Sequence, residues 1–144
     1  MRGLKFIISF VFSLITVQLF LSSQQQVRTL QHQVTRLTQF QEQTGKLDTF
    51  GRYFLPSYYS EKGQLADFSS SRLTLHHQSG QLQSVILESV SQMKKDAYQL
   101  TYVLAIKDGE TRSQKRLNLV VQKEKAAPYG YQVVQIPEVS NYPK

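Results

Sequence analysis

Cysteine is absent from this 144-residue chain. Disulfide staples, thiol nucleophiles and Cys-ligated zinc are therefore excluded. Residues 22–44 contain neither glycine nor proline, so nothing there interrupts a helix. No Asp, Glu, Lys or Arg occurs between Lys5 and Arg28. Catalytic signatures are missing as well. There is no G-x-S-x-G nucleophile elbow and no phosphate loop of the Walker or dinucleotide type. Of the three histidines, His32 stands alone, and His76 and His77 are adjacent. Neighbours in an extended chain point to opposite faces, so that pair is not set up to share a metal. The acids Glu88, Asp96, Asp108 and Glu110 fall at strand or turn positions and read as a solvated face. The expectation is a protein without cofactor, metal or catalytic machinery.

What is present begins with residues 6–21, FIISFVFSLITVQLFL. A helix over 6–23 spans about 27 Å at about 1.5 Å per residue, just enough to cross a ~30 Å hydrocarbon core. We read residues 1–23 as a cytoplasmic tail and single transmembrane anchor. A cleaved signal peptide is the competing reading, but the apolar run is long for one and its exit lacks an A-x-A pattern. Arg2 and Lys5 precede the run, which favours a cytoplasmic N-terminus and an exported body at the cell membrane. With those two removed from 17 basic residues, 15 face 10 acidic ones, a net of +5. That excess fits attraction to an anionic partner such as lipid, wall polymer or nucleic acid, and equally fits ordinary solubility.

Residues 24–44 are rich in glutamine and carry Val27, Leu30, Val34 and Leu37 at spacings of an a/d seam. Val at a and Leu at d favour two strands, so this stalk is a candidate for self-association into a homo-oligomer. Phe40, Leu47, Phe50 and Phe54 then share one helical face and predict a first domain helix, stopped at Pro56. Gly45 is the expected break between stalk and domain. Tyr58, Tyr59, Leu65 and Phe68 predict a short second helix, and Leu73 and Leu75 a short strand.

After Gly80 the period becomes two. Residues 83–93 predict a strand whose facing cannot be phased, because Val85, Ile86 and Leu87 are consecutive. Tyr98, Leu100, Tyr102, Leu104 and Ile106 alternate cleanly, and Asp108-Gly109 is a hairpin turn signal. A turn centred on those two residues sets Leu100 opposite Leu117, Tyr98 opposite Leu119 and Thr101 opposite Arg116. Residues 110–116 are polar and should project beyond the core. A last strand is expected over 131–136, ending at Pro137, with 138–144 as a loose tail. Lys107, Arg112, Lys115 and Arg116 gather near the hairpin end as a candidate contact for an anionic partner, phosphate included. Read as structure alone, they are charges that keep a strand edge from aggregating.

The fold class is therefore α+β: an N-terminal transmembrane helix and helical stalk, then a small cone-like domain over 45–137 with an antiparallel β-meander packed on a helix. The aromatic run Phe50-Gly51-Arg52-Tyr53-Phe54, the alternating strand from Tyr98 to Ile106, and Tyr131-Gln132-Val133-Val134-Gln135-Ile136-Pro137 carry a resemblance. In element order and size the chain resembles the TcpC-like, VirB-eight-like conjugal transfer proteins of Gram-positive mobile elements, with their nuclear-transport-factor-2-like (NTF2-like) domain. The resemblance implies a non-enzymatic scaffold that helps assemble a type IV secretion-like DNA-transfer channel through contacts with other channel proteins. Two other classes stay open: a bitopic cell-envelope scaffold of the division or wall-synthesis type, and an exported ligand-binding cone.

Overall fold

The structure, a computed structural model, describes residues 2–143, with side chains from Gln25 onward. The expected anchor at 6–21 lies outside the described side chains. From Gln25 onward no helix is long and apolar enough to cross a membrane. One helix, α1 (Arg2–Tyr58), is followed by five strands. The chain divides into two compact units, Met1–Glu42 and Gln43–Lys144.

In the first unit the described helix exposes Val27, Leu30, Val34 and Leu37, each at least half accessible. Thr29, Thr35 and Thr38 donate their hydroxyls to carbonyls one turn back, which keeps these polar side chains within the helix surface.

The second unit is α+β, as expected. Its helical part buries Leu47, Phe50, Phe54, Leu55 and Tyr58, spaced to fall on one face, against an antiparallel sheet. Phe40, expected in the same stripe, is 44% exposed and lies outside this unit. The helix passes through Gly45 without a break. It also runs on to Tyr58, past Pro56, where it was expected to stop. Pro56 lacks an N–H, but Tyr59 N–H still reaches Leu55 O at 3.1 Å and closes the last turn.

The strands are β1 (Gln81–Lys94), β2 (Ala97–Asp108), β3 (Thr111–Lys123), β4 (Tyr131–Val133) and β5 (Glu138–Asn141). β1, β2 and β3 form a meander, and β4 and β5 share the far edge of β3. The expected alternation in β2 is observed: Tyr98, Leu100, Tyr102, Leu104 and Ile106 are buried beside Leu117, Leu119 and Val121 of β3. The expected register is not. Leu100 pairs with Leu119, Tyr98 with Val121 and Thr101 with Asn118. The turn is centred on Gly109-Glu110, one residue later than expected, with Gly109 at φ +58° while Asp108 and Glu110 keep negative φ. Glycine alone at positive φ in the first central position is the signature of a II′ turn. Both registers bury the same alternate residues, because they differ by two; hydrophobic pattern fixes the face and only the turn fixes the pairing.

β1 could not be phased because it is bulged. Its pairing with β2 shifts between Leu82 and Ser84, between Leu87 and Ser89, and between Gln92 and Lys94. Leu82, Val85, Leu87 and Val90 pack on the core, whereas Ile86 is 59% exposed. Each bulge inserts a residue and reverses the alternation beyond it.

Four further expectations are corrected. Residues 59–68 form turns and irregular chain, not a helix: Gly63 N–H bonds Ser60 O at 2.9 Å, and a Cβ at Gly63 would collide with the Ser57 backbone. Leu73 and Leu75 pack on the core without joining a strand. The last strand stops at Val133, not Ile136, and the tail expected to be loose holds β5, paired with Lys115–Asn118. Between the two strands Val134 N–H bonds Val120 O at 3.1 Å. The other side of β4 is tied by Val133 N–H to Phe68 O and Ser70 N–H to Val133 O, at 2.7 and 3.1 Å.

At Gly51 the helix lies directly against the sheet. A Cβ there would run into the Tyr102 hydroxyl and ring. That hydroxyl donates to Asp48 Oδ1 at 3.3 Å, and Arg52 Nε donates to Asp48 Oδ2 at 2.9 Å. At Gly45, by contrast, a Cβ would meet nothing within 4 Å.

The two glycines should therefore respond oppositely to one substitution. Gly45→Ala should stabilise the protein by about 1 kcal/mol, the helix-propensity gain. Gly51→Ala should destabilise it by about 1–3 kcal/mol, since overpacking outweighs propensity. Urea denaturation of both variants measures the difference, and equal signs would refute the close approach. A second expectation concerns alkali. Burial raises the proton affinity of Tyr58, Tyr98, Tyr102 and Tyr131, and that of Tyr59 from 10 to about 12. The unfolded chain releases these protons near pH 10 while the native chain holds them. Stability should thus be intact below about pH 10 and fall between about pH 10 and 12. Melting temperature against pH, with tyrosinate absorbance as a second trace, checks it.

Candidate functional site

The β2–β3 hairpin carries the basic residues singled out from the sequence, and strand alternation divides them between two faces. Odd-numbered β3 residues share the face of Leu117, Leu119 and Val121, which packs on the helix. Lys115 is on that inner face. Arg112 and Arg116 are on the outer face, and Lys107 is directly opposite Arg112. The four do not form one patch; Lys107 and Arg112 lie together at the hairpin end, and Lys115 points the other way.

Arg116 is also committed within the protein. Its Nη2 donates to Glu88 Oε1 at 2.8 Å, reaching across β2 to β1. Glu88 is the extra residue of the middle bulge, which turns it toward that outer face. The Arg116 guanidinium lies 5.1 Å from the Tyr142 ring centroid, beyond β5. Its hydrogen bond to Glu88 raises its proton affinity further. Thr101 Oγ1 donates to Asn118 Oδ1 at 3.0 Å on the same face.

On the inner face the hairpin outruns the helix, which ends at Tyr58. Apolar residues give way there to Asp108, Thr111, Ser113 and Lys115. The result is an open-mouthed cavity of about 500 Å³, closed on one side by Tyr59, Gln78 and Ser79, with Ile106 and Val139 as its apolar lining. The wall at residues 78–79 is held to the helix end: Gln78 N–H bonds Tyr58 O at 2.8 Å, and His77 Nδ1 lies 3.1 Å from Ser57 O. Lys115 Nζ donates to Asn141 Oδ1 at 2.6 Å. The sequence hid this cavity, since its walls come from the helix end, a turn segment, the hairpin and β5. The available signal was the polar switch at 108–115, which was legible as a projecting hairpin.

A surface aromatic stack was also not anticipated. Tyr129 lies between the partly exposed Tyr53 and the buried Phe68, at centroid distances of 5.6 and 4.7 Å. Among the described residues no group of three or more His, Cys, Asp or Glu is placed to hold a metal. The stalk residues Val27, Leu30, Val34 and Leu37 remain a single exposed stripe in the first unit.

These placements separate charges that can face a partner from charges already engaged. Arg116→Ser should lower stability slightly, the direction expected on losing a surface ion pair. A Lys107→Ser, Arg112→Ser double variant should leave the melting temperature unchanged. Thermal denaturation decides, and an unaffected Arg116→Ser protein would remove any structural role for the Glu88 contact.

Three comparisons bear on identity. No curated protein sequence matches the chain. Its structure is similar to that of the NTF2-like, potential transfer protein TraM from the Gram-positive conjugative plasmid pIP501, with a TM-score of 0.60 and 22% identity. That likeness covers 70% of this chain and 98% of the other, and it establishes the fold as NTF2-like. The family model described as conjugal transfer protein-like, C-terminal domain, matches residues 43–143, the whole helix-and-sheet unit save its last residue. By that match the chain belongs to the TcpC-like conjugal transfer protein family.

Proposed function

We propose that this chain is a single-pass, membrane-anchored assembly component of a conjugative, type IV secretion-like DNA-transfer channel. It acts by protein–protein contact and needs no cofactor. The observation that carries the reading is the family match over residues 43–143. The charge-free run between Lys5 and Arg28, preceded by Arg2 and Lys5, supports an anchor with the N-terminus in the cytoplasm and the folded unit outside. Val27, Leu30, Val34 and Leu37, exposed on one helix stripe, support self-association once anchoring in a membrane raises their effective concentration. Lys107 and Arg112 are the residues left for an anionic partner, nucleic acid included, since Arg116 on that face is engaged by Glu88 and Lys115 is on the other face.

Mating assays test the role. A donor lacking the chain should lose transfer, the full chain should restore it, and a chain without residues 2–23 should not. In protoplasts, added protease should digest the β-rich unit while a tag at the N-terminus survives. Transfer that persists without the chain would reject the transfer role. Restoration by the truncated chain would reject the anchor.

A further inference from the structure

We propose that the cavity at the hairpin end of the sheet is a binding site for a small carboxylated saccharide. Its volume, about 500 Å³, lies within the range of small-ligand sites, roughly 300–1,000 Å³. Its chemistry narrows the ligand. Lys115 is half-buried, and of the three N–H donors on its ammonium one is taken by the neutral amide of Asn141. It makes no ion pair with any described residue. A carboxylate would complete it with a charge-assisted hydrogen bond. Ser113 and Thr111 supply hydroxyls that both donate and accept, and Asp108 accepts. The negative charge of Asp108 opposes a dianion such as phosphate more strongly than a singly charged carboxylate. Ile106 and the Tyr59 ring offer an apolar wall of the kind that packs against a sugar's C–H face. A wholly apolar ligand would leave these polar groups unpaired, at a cost in affinity.

This inference does not depend on the transfer role, and its test has a separate readout. The full chain in detergent micelles is titrated calorimetrically with D-glucuronate, D-glucose and inorganic phosphate. Saturable binding of glucuronate, weaker binding of glucose and none of phosphate is the expected order. Lys115→Gln should weaken glucuronate roughly 10- to 100-fold, the loss of one hydrogen bond to a charged group, and leave glucose unchanged. Lys95→Gln, in the turn at the other end of β2, should change neither. Ser113→Ala, which keeps the ammonium, should weaken both sugars alike, and circular dichroism melts confirm that each variant is folded. Tighter binding of a glucuronate oligosaccharide than of the monomer identifies a polymer end as the source; equal binding identifies a free sugar acid. No saturable glucuronate binding, an unchanged Lys115→Gln variant, or phosphate binding as tight as glucuronate would each overturn the proposal.

Discussion

The close approach of Gly51 to Tyr102 sets the spacing between helix and sheet, and most of the second unit follows from it. A fully buried tyrosine needs a partner for its hydroxyl, and Asp48, one turn before Gly51 on the helix, provides one. Asp48 in turn is held by Arg52 at the surface. The contact is thus steric on one side and polar on the other: glycine lets the ring come close, and the carboxylate fixes its tip. Around it Phe50, Phe54 and Phe68 meet at centroid distances of 5.7 to 6.4 Å and fill the space on either side. Gln43 Nε2, donating to Tyr131 Oη at 3.2 Å, makes a second polar tie between helix and β4.

How far the fold was legible depended on whether local pattern or long-range pairing decided each element. β2 read correctly because alternate burial is written directly into Tyr98 through Ile106. The hairpin register did not, because alternation is blind to a shift of two and Asp108-Gly109 offered two ways to place glycine in a turn. β1 resisted phasing for a different reason: its three bulges exist only relative to β2. β5 was missed because its four residues are all exposed, and its only structural reason is the free edge of β3. In residues 59–80 the apolar residues were expected on a short helix and a short strand. Lacking a strand partner or an uninterrupted helix, they pack from turns instead.

The site followed the same rule, at finer grain. Lys115 and Arg116 are neighbours in sequence, and a cluster drawn from proximity joins them. The pleat then sends one to the helix side and the other to the open face. Which basic side chains are engaged was also invisible, since Glu88 and Tyr142 reach Arg116 from a bulge and from beyond β5. Family membership was accessible from element order, because the order of helix and strands survives where individual residues have diverged.

The bulges of β1 have a consequence for behaviour in a crowded environment. β1 is the outermost strand of the meander, 14 residues long, and apart from its terminal Lys94 its one charged side chain, Glu88, is engaged by Arg116. Such a strand, if flat, would offer a continuous row of amides for another chain to extend into a fibril. Three irregularities over this length interrupt the row and increase its twist. The feature that made the strand unreadable in the sequence is thereby a guard against cross-β aggregation.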